Sequence, residues 1–198
     1  AFDRVSQTNT PKEIETIISE KIPETFATGV VISNELFDAM PAKMIEIHGN
    51  RIHEICVGID SEDRIIETLD TNIEEDPELR DIVGDTSHLE GYRGPVRCGV
   101  ESWMSNIRNV LSKGFMMTID YGFEHSVYYS MGKSHRLLQT YYNHIETSNP
   151  YQKIGLQDIT AHVNFTHFRD CAQNVGFRSL ASISQHDWLN DLHFEEFI

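Results

Sequence analysis

The sequence predicts part of a doubly wound α/β sheet that carries an inserted antiparallel β meander. Three observations predict it. Two short apolar runs, Gly29–Ser33 and Phe115–Asp120, lack the alternation of a half-wetted strand and read as strands of a parallel sheet. Between them, residues 42–69 change style to paired strand signals around Gly49-Asn50. Amphipathic helical stripes, one before the second run and one after residue 164, supply a covering layer.

The elements follow in order. Thr10, Pro11 and Glu13 read as an N-cap, a proline at the first helical position and the acid of a capping box. Ile14, Ile17, Ile18 and Ile22 keep helical spacing, which predicts a helix over 11–20 that Pro23 stops. Gly29–Ser33 is then a strand buried on both faces, followed at once by Asn34, Glu35, Leu36, Phe37 and Asp38. Ala42–His48 and Arg51–Val57 form a hairpin across Gly49-Asn50, and Ser61-Glu62-Asp63 turns into a third strand, Arg64–Leu69. Asp70–Asp76 is acidic and reads as a solvated loop, and Gly91–Gly94 as another loop. Val100, Trp103, Met104, Ile107 and Leu111 make one stripe of a helix over 97–111, with Gly114 placed to terminate it. After the strand Phe115–Asp120 comes a polar, aromatic excursion to about residue 160, in which Arg136–Tyr142 suits a short strand. Asn164 caps a helix with Phe165, Phe168, Ala172 and Val175 inward and Gly176 at its end. Phe177–Ser184 alternates and reads as a third strand of the sheet, and Asp187–Leu192 as a short helix.

Composition narrows the functions. The 198 residues suit one domain, and 12 glycines with 6 prolines exclude low complexity, collagen and a mucin-like stalk. No apolar run reaches the ~18 residues of a membrane span. The N-terminal AFDRVSQTNT has no apolar core and no Arg-rich amphipathic pattern, so no targeting segment is visible, and the absence of an initiator Met suggests a fragment or a processed start. With 31 acidic residues against 16 basic ones, the formal charge of −15 argues against gripping nucleic acid and favours cationic partners, including Arg- or Lys-bearing peptides. Cys56, Cys98 and Cys171 show neither metal-ligand nor redox-pair spacing and read as packed thiols in a reducing compartment.

The strongest chemical signal is Asn34-Glu35 after one strand and Asp120-Tyr121 after another. A carboxylate at the end of a buried strand is costly to desolvate unless something uses it. In open α/β sheets that edge is also where ligands bind, so neighbouring strands would bring both acids to one crevice. His144, His162 and His167 form no metal-binding pattern, and no metal is expected. Neither Cys98 nor Cys171 has the setting of a nucleophile, and there is no Gly-x-Ser-x-Gly elbow, phosphate loop or Gly-x-Gly-x-x-Gly turn.

VVISNELFDAMP, the hairpin, the helix running into MTIDYG, and YQKIGLQDITAHVNF stand in this order across roughly residues 29–183. Together they resemble the MidA-like family of S-adenosylmethionine-dependent methyltransferases. The resemblance implies a class I (Rossmann-like) methyltransferase fold with an inserted substrate-side subdomain, S-adenosylmethionine as cofactor, and an α/β chain that is the distal half of that fold. It implies three segments: 1–41 with a sheet strand and helix, 42–95 as the insertion, and 96–198 as the distal part of the methyltransferase domain. Asn34 and Glu35 match the family's Asn-Glu beside the transferable methyl, and are the catalytic candidates. Asp38, in the same block, would tie down the turn. Asp120 and Tyr121 match the end of the next strand, and Asp158, Thr160 and His162 the loop closing over the active-site side. Asp38, Asp120, Tyr121, Asp158 and His162 are therefore the substrate-binding candidates. The family's Gly-rich turn and its ribose-binding acid would lie upstream of Ala1, so most of the cofactor cradle is expected outside this chain.

The mitochondrial relatives resemble protein arginine methyltransferases that assist respiratory complex I assembly. The expected partner is thus a basic, Arg-bearing protein, with no nucleic acid and no membrane, and a homodimer is compatible with it. A guanidinium is a poor nucleophile because its lone pair is delocalised, and a carboxylate such as Glu35 could hold it bidentately and orient one nitrogen. The rival reading is a non-catalytic assembly or scaffold module on the same fold. The compartment would be cytoplasmic for a bacterial source and mitochondrial for a eukaryotic one.

Overall fold

The computed structural model describes residue 22 and residues 28–70, 76–130, 136–147 and 149–194. The helix expected over 11–20 and residues 71–75 of the acidic stretch lie outside the described residues. In chain order the strands are β1 (Thr28–Asn34), β2 (Lys43–His48), β3 (Arg51–Ile59), β4 (Ile65–Leu69), β5 (Arg93–Val96), β6 (Lys113–Ile119), β7 (Gly122–Phe123), β8 (Leu138–Tyr142), β9 (Ile145–Thr147), β10 (Asp158–Ala161) and β11 (Val163–Asn164). The helices are α1 (Pro77–Val83), α2 (Val100–Val110), α3 (His125–Tyr128), α4 (Phe165–Asn174) and α5 (Gln185–Asp191). β1 and β6 pair in parallel, and so do β11 and β7. The order β4-β3-β2-β5 is wholly antiparallel, as is β10-β8-β9.

The inserted sheet follows from its turns. Gly49 and Asn50 both have positive φ, 57° and 62°, the mirror-image turn whose twist matches a two-residue hairpin. β5 then pairs with the other edge of β2, Ile45 opposite Gly94. This corrects the loop expected at Gly91–Gly94: the hairpin leaves one edge of β2 open, and Arg93-Gly94 fills its hydrogen-bonding groups. Gly94 also makes room for Tyr92, whose hydroxyl would lie 2.5 Å from a Cβ there. Asp76 is likewise not a solvated loop residue. Its Oδ1 caps α1 by accepting the Glu78 N–H at 2.9 Å, and its Oδ2 accepts from Lys43 Nζ at 2.9 Å. Ile45, Ile47, Ile52, Leu79, Val83, Leu89, Tyr92 and Tyr128 close the core beneath this sheet.

A second core lies where α2 and α4 cover β1 and β6. Val100, Met104, Ile107 and Leu111 are buried, as the stripe predicts. Phe37 is fully buried between Trp103 (centroids 5.0 Å apart, edge-on) and Phe168 (4.8 Å, perpendicular). Asn164 caps α4 by accepting the His167 N–H at 3.2 Å, and Phe165, Phe168, Ala172 and Val175 pack inward as expected.

Three expectations are corrected here. β1 is not buried on both faces: Val30 is 56% exposed, Ile32 64% and its neighbour Phe115 61%. The register sets Val30 beside Phe115, so all three share the face that α2 and α4 do not cover. Gly114 does not end the helix, which stops at Val110; it sits inside β6 against Gly29, where a Cβ would fall 1.8 Å from the Gly29 carbonyl oxygen. Phe177–Ser184 forms no strand, and Leu180 and Ile183 are exposed. Alternation makes a strand only where an open edge accepts its hydrogen bonds, and none of the described strands pairs with this segment.

Glu124, just before α3, ties that corner to α4. Its carboxylate accepts both Arg169 Nη1 and Nη2, at 2.8 and 2.6 Å, and the Thr166 hydroxyl at 2.6 Å. These bonds, Arg169 first, hold the Glu124 carboxyl down to about 2. A depressed folded-state value means stability present above the ordinary carboxylate range and lost as pH falls toward 2. Arg169→Met should cost about 0.5–1 kcal/mol at pH 7, the modest worth of an exposed pair. Denaturant midpoints measured between pH 6 and 3 should then converge for the two proteins as the pH drops.

Candidate functional site

The parallel register sets the carboxyl ends of β1 and β6 side by side, Asn34 opposite Ile119, and the Glu35 N–H donates to the Ile119 carbonyl at 2.8 Å. Glu35 and Asp120 thus leave the same end of two adjacent strands. Asn34 and Glu35 are exposed. Glu35 adopts the left-handed region, φ 46°, and its carboxylate makes no hydrogen bond to the described residues.

Asp120 is spent inside the turn. Its Oδ2 accepts the N–H groups of Phe37 (3.0 Å) and Asp38 (3.3 Å), and its Oδ1 the N–H of Tyr121 (2.9 Å). Burial pushes its carboxyl above the ordinary range, the charge of Asp38 adds to this, and the three N–H donors pull the other way. Asp38 is itself buried. The Tyr121 hydroxyl donates to its Oδ2, while its Oδ1 has no hydrogen-bond partner among the described residues. Burial first, and then the bond to Asp38, raises the Tyr121 phenol. Asp38, Asp120 and Tyr121 are therefore brought together as a bonded cluster, with the two acids turned inward.

His162, between β10 and β11, joins this cluster. Its ring stacks on Phe123 (centroids 5.1 Å apart, planes 8° apart) and meets Tyr121 edge-on at 5.0 Å. Asp158 does not join. It is exposed at the far end of β10, opposite Tyr141, and four residues of strand separate it from His162 by roughly 13 Å.

Sequence reasoning missed Arg97. Its guanidinium is buried and donates to four backbone carbonyls: Asp38 at 3.0 Å, Ala161 at 2.9 Å, His162 at 3.3 Å and Met40 at 3.4 Å. Burial lowers its pKa, and Tyr128, Asp120, Asp38 and Tyr121 counter that. The available signal was a cation inside the apolar run Gly94-Pro-Val-Arg-Cys-Gly-Val100, where a charge needs partners. Phe123 was also missed, being one aromatic among many in a polar stretch. Burial raises the Cys171 thiol to about 12 and that of Cys98 to about 11, so neither is an activated nucleophile. Among the described residues no group of three or more His, Cys, Asp or Glu side chains could hold a metal, and no helix is long and apolar enough to cross a membrane.

Tyr121→Phe removes the one hydrogen bond that the buried Asp38 carboxylate makes among the described residues. The expected loss is about 1–3 kcal/mol in denaturant unfolding, the cost of an orphaned buried acceptor. In an Asp38→Asn background the same substitution should cost less, because the uncompensated charge is gone. A double-mutant cycle reads that coupling directly.

Comparison with known proteins adds the family. A family described as "Putative S-adenosyl-L-methionine-dependent methyltransferase" matches residues 4–183. A crystal structure of a Burkholderia thailandensis protein described as a "likely methyl transferase", bound to S-adenosyl-homocysteine, is 28% identical with a TM-score of 0.70; the match covers 80% of this chain and 40% of that one. A native crystal structure of an uncharacterized protein of the same superfamily, also from Burkholderia thailandensis, is 27% identical with a TM-score of 0.68, covering 80% of this chain and 41% of that one. The chain therefore spans about 40% of the length of these solved relatives. A comparison with curated proteins found no match. With nearly all of its length inside the family's match, the chain belongs to this family of S-adenosyl-L-methionine-dependent methyltransferases.

Proposed function

We propose that this chain forms the methyl-acceptor side of an S-adenosylmethionine-dependent methyltransferase with the class I (Rossmann-like) arrangement, of the MidA-like kind, and that its acceptor is an arginine of a basic protein. The observation that carries this is Glu35: an exposed carboxylate without a hydrogen bond to the described residues, fixed in the left-handed region at the end of a parallel strand pair. The donor set fits a methyl transfer to a cationic group. Asn34 and Glu35 would face the cofactor's reactive end, and the cofactor, when bound, supplies an electrophilic methyl.

The chain's own residues supply orientation. A guanidinium donates two parallel N–H bonds to the Glu35 carboxylate, which aims the remaining nitrogen and compensates the positive charge. Alignment of this kind can contribute roughly 7–11 kcal/mol to a bimolecular step. The same carboxylate lies within reach of the proton that the nitrogen must release. The rings of Tyr121 and His162 give the planar cation an aromatic flank. The net charge of −15 favours encounter with a basic protein, less so at high salt. By the same family reading, assistance to respiratory complex I assembly is the cellular role to test in a eukaryotic source.

The test uses the intact protein. S-adenosylhomocysteine titrated calorimetrically should bind, and labelled methyl should pass from S-adenosylmethionine to an arginine-containing peptide. Glu35→Gln keeps the shape and loses the charge; kcat should fall at least about tenfold while affinity for S-adenosylhomocysteine stays within about twofold. Unchanged turnover in Glu35→Gln would remove Glu35 as the clamp, and absence of S-adenosylhomocysteine binding would overturn the proposal.

A further inference from the structure

We infer that Arg97 is a positioning residue, a clamp that sets the Glu35–Met40 turn against the His162 wall and couples both to the inserted sheet. The inference rests on the reading of Glu35 given above and adds a residue to it. Arg97 follows β5 directly, so its backbone moves with the edge strand of the inserted sheet. Its guanidinium reaches two other segments at once. Nη2 bonds the Asp38 and Ala161 carbonyls, Nε the Met40 carbonyl and Nη1 the His162 carbonyl. The Ala161 N–H closes the same junction by donating to the Asp38 carbonyl at 2.9 Å.

A buried cation is costly to desolvate, and among the described residues the hydrogen-bond partners of this one are backbone carbonyls, so that it pins the turn whose other supports are the Asp38 and Asp120 side chains. Its fork of donors fixes the geometry of the turn against the Ala161–His162 segment. Lysine, with one compact head, could not span carbonyls on two segments. The titratable groups that reach the guanidinium are Asp38 on the turn, Asp120 and Tyr121 after β6, and Tyr128 on α3; His162 contributes its carbonyl, and His167 on α4 lines the adjoining core.

Arg97→Lys and Arg97→Gln test the clamp in the intact protein. Both should speed amide exchange at Met40 and Ala161 by about tenfold or more, with Ile47, in the inserted sheet, within about twofold of wild type. With S-adenosylmethionine and an arginine-containing peptide as probes, both should lower kcat by about tenfold with little change in KM for S-adenosylmethionine. A smaller folded fraction would speed exchange at Ile47 as well. Wild-type exchange at Met40 and Ala161, or turnover at the wild-type rate in both variants, overturns the inference. If the wild type transfers no methyl, the functional reading fails by itself, and amide exchange alone then decides whether Arg97 is the clamp.

Discussion

Three backbone N–H groups at the point where two parallel strands end are satisfied by one carboxylate, that of Asp120. Without it the donors of Phe37, Asp38 and Tyr121 would be stranded in a half-buried corner, each costing about 1–3 kcal/mol. The rest of the site hangs from those bonds. Holding the Phe37 N–H lets its ring enter the slot between Trp103 and Phe168, which locks the turn to α2 and α4. Holding the Asp38 N–H sends that side chain inward to meet the Tyr121 hydroxyl. Stability and site geometry are therefore the same set of contacts here.

Two carboxylates turned inward within one small corner would repel each other and resist desolvation, and burial does push Asp120 upward. Arg97 holds the same corner through backbone carbonyls, those of Asp38 and Met40 on the turn and of Ala161 and His162 beyond it. The strand ends already carry the acids, and a cation from a separate layer can join the turn to the Ala161–His162 segment in one step.

Local signals in the sequence proved readable where one rule acted alone. The Gly49-Asn50 hairpin, the Asn164 cap and the Val100–Leu111 stripe each depend on neighbours a few residues away. So does the emergence of Asn34-Glu35 and Asp120-Tyr121 from apolar runs, and the parallel register then brings them together. What could not be read required a partner distant in sequence. Whether Gly114 ends a helix or admits the Gly29 backbone is decided 85 positions away in the chain, in the strand pairing itself. Phe177–Ser184 has the alternation of a strand but no described edge to pair with. Arg97 entered the reading only as the start of the helix expected over 97–111, because its four acceptors are carbonyls, and carbonyls leave no trace in a sequence.

The arrangement also accounts for why Glu35 is the acid left over. Of the carboxylates at this end of the strands, Asp38 and Asp120 are consumed in building the turn, and Asp158 stands a strand's length away. Glu35 is held by its backbone alone, with φ at 46°, a conformation that for a residue other than glycine costs on the order of 1–3 kcal/mol. Glycine would adopt it freely, and asparagine or aspartate more readily than glutamate. A chain that keeps glutamate there accepts strain to place a long, charged, rotatable side chain at the mouth of the strand pair. The strain is offset by the Asp120 bonds and by Phe37, whose burial anchors the turn two residues on. Strain at Glu35, rigidity at Phe37 and the carbonyl clamp of Arg97 are thus linked parts of one device that presents the Glu35 carboxylate.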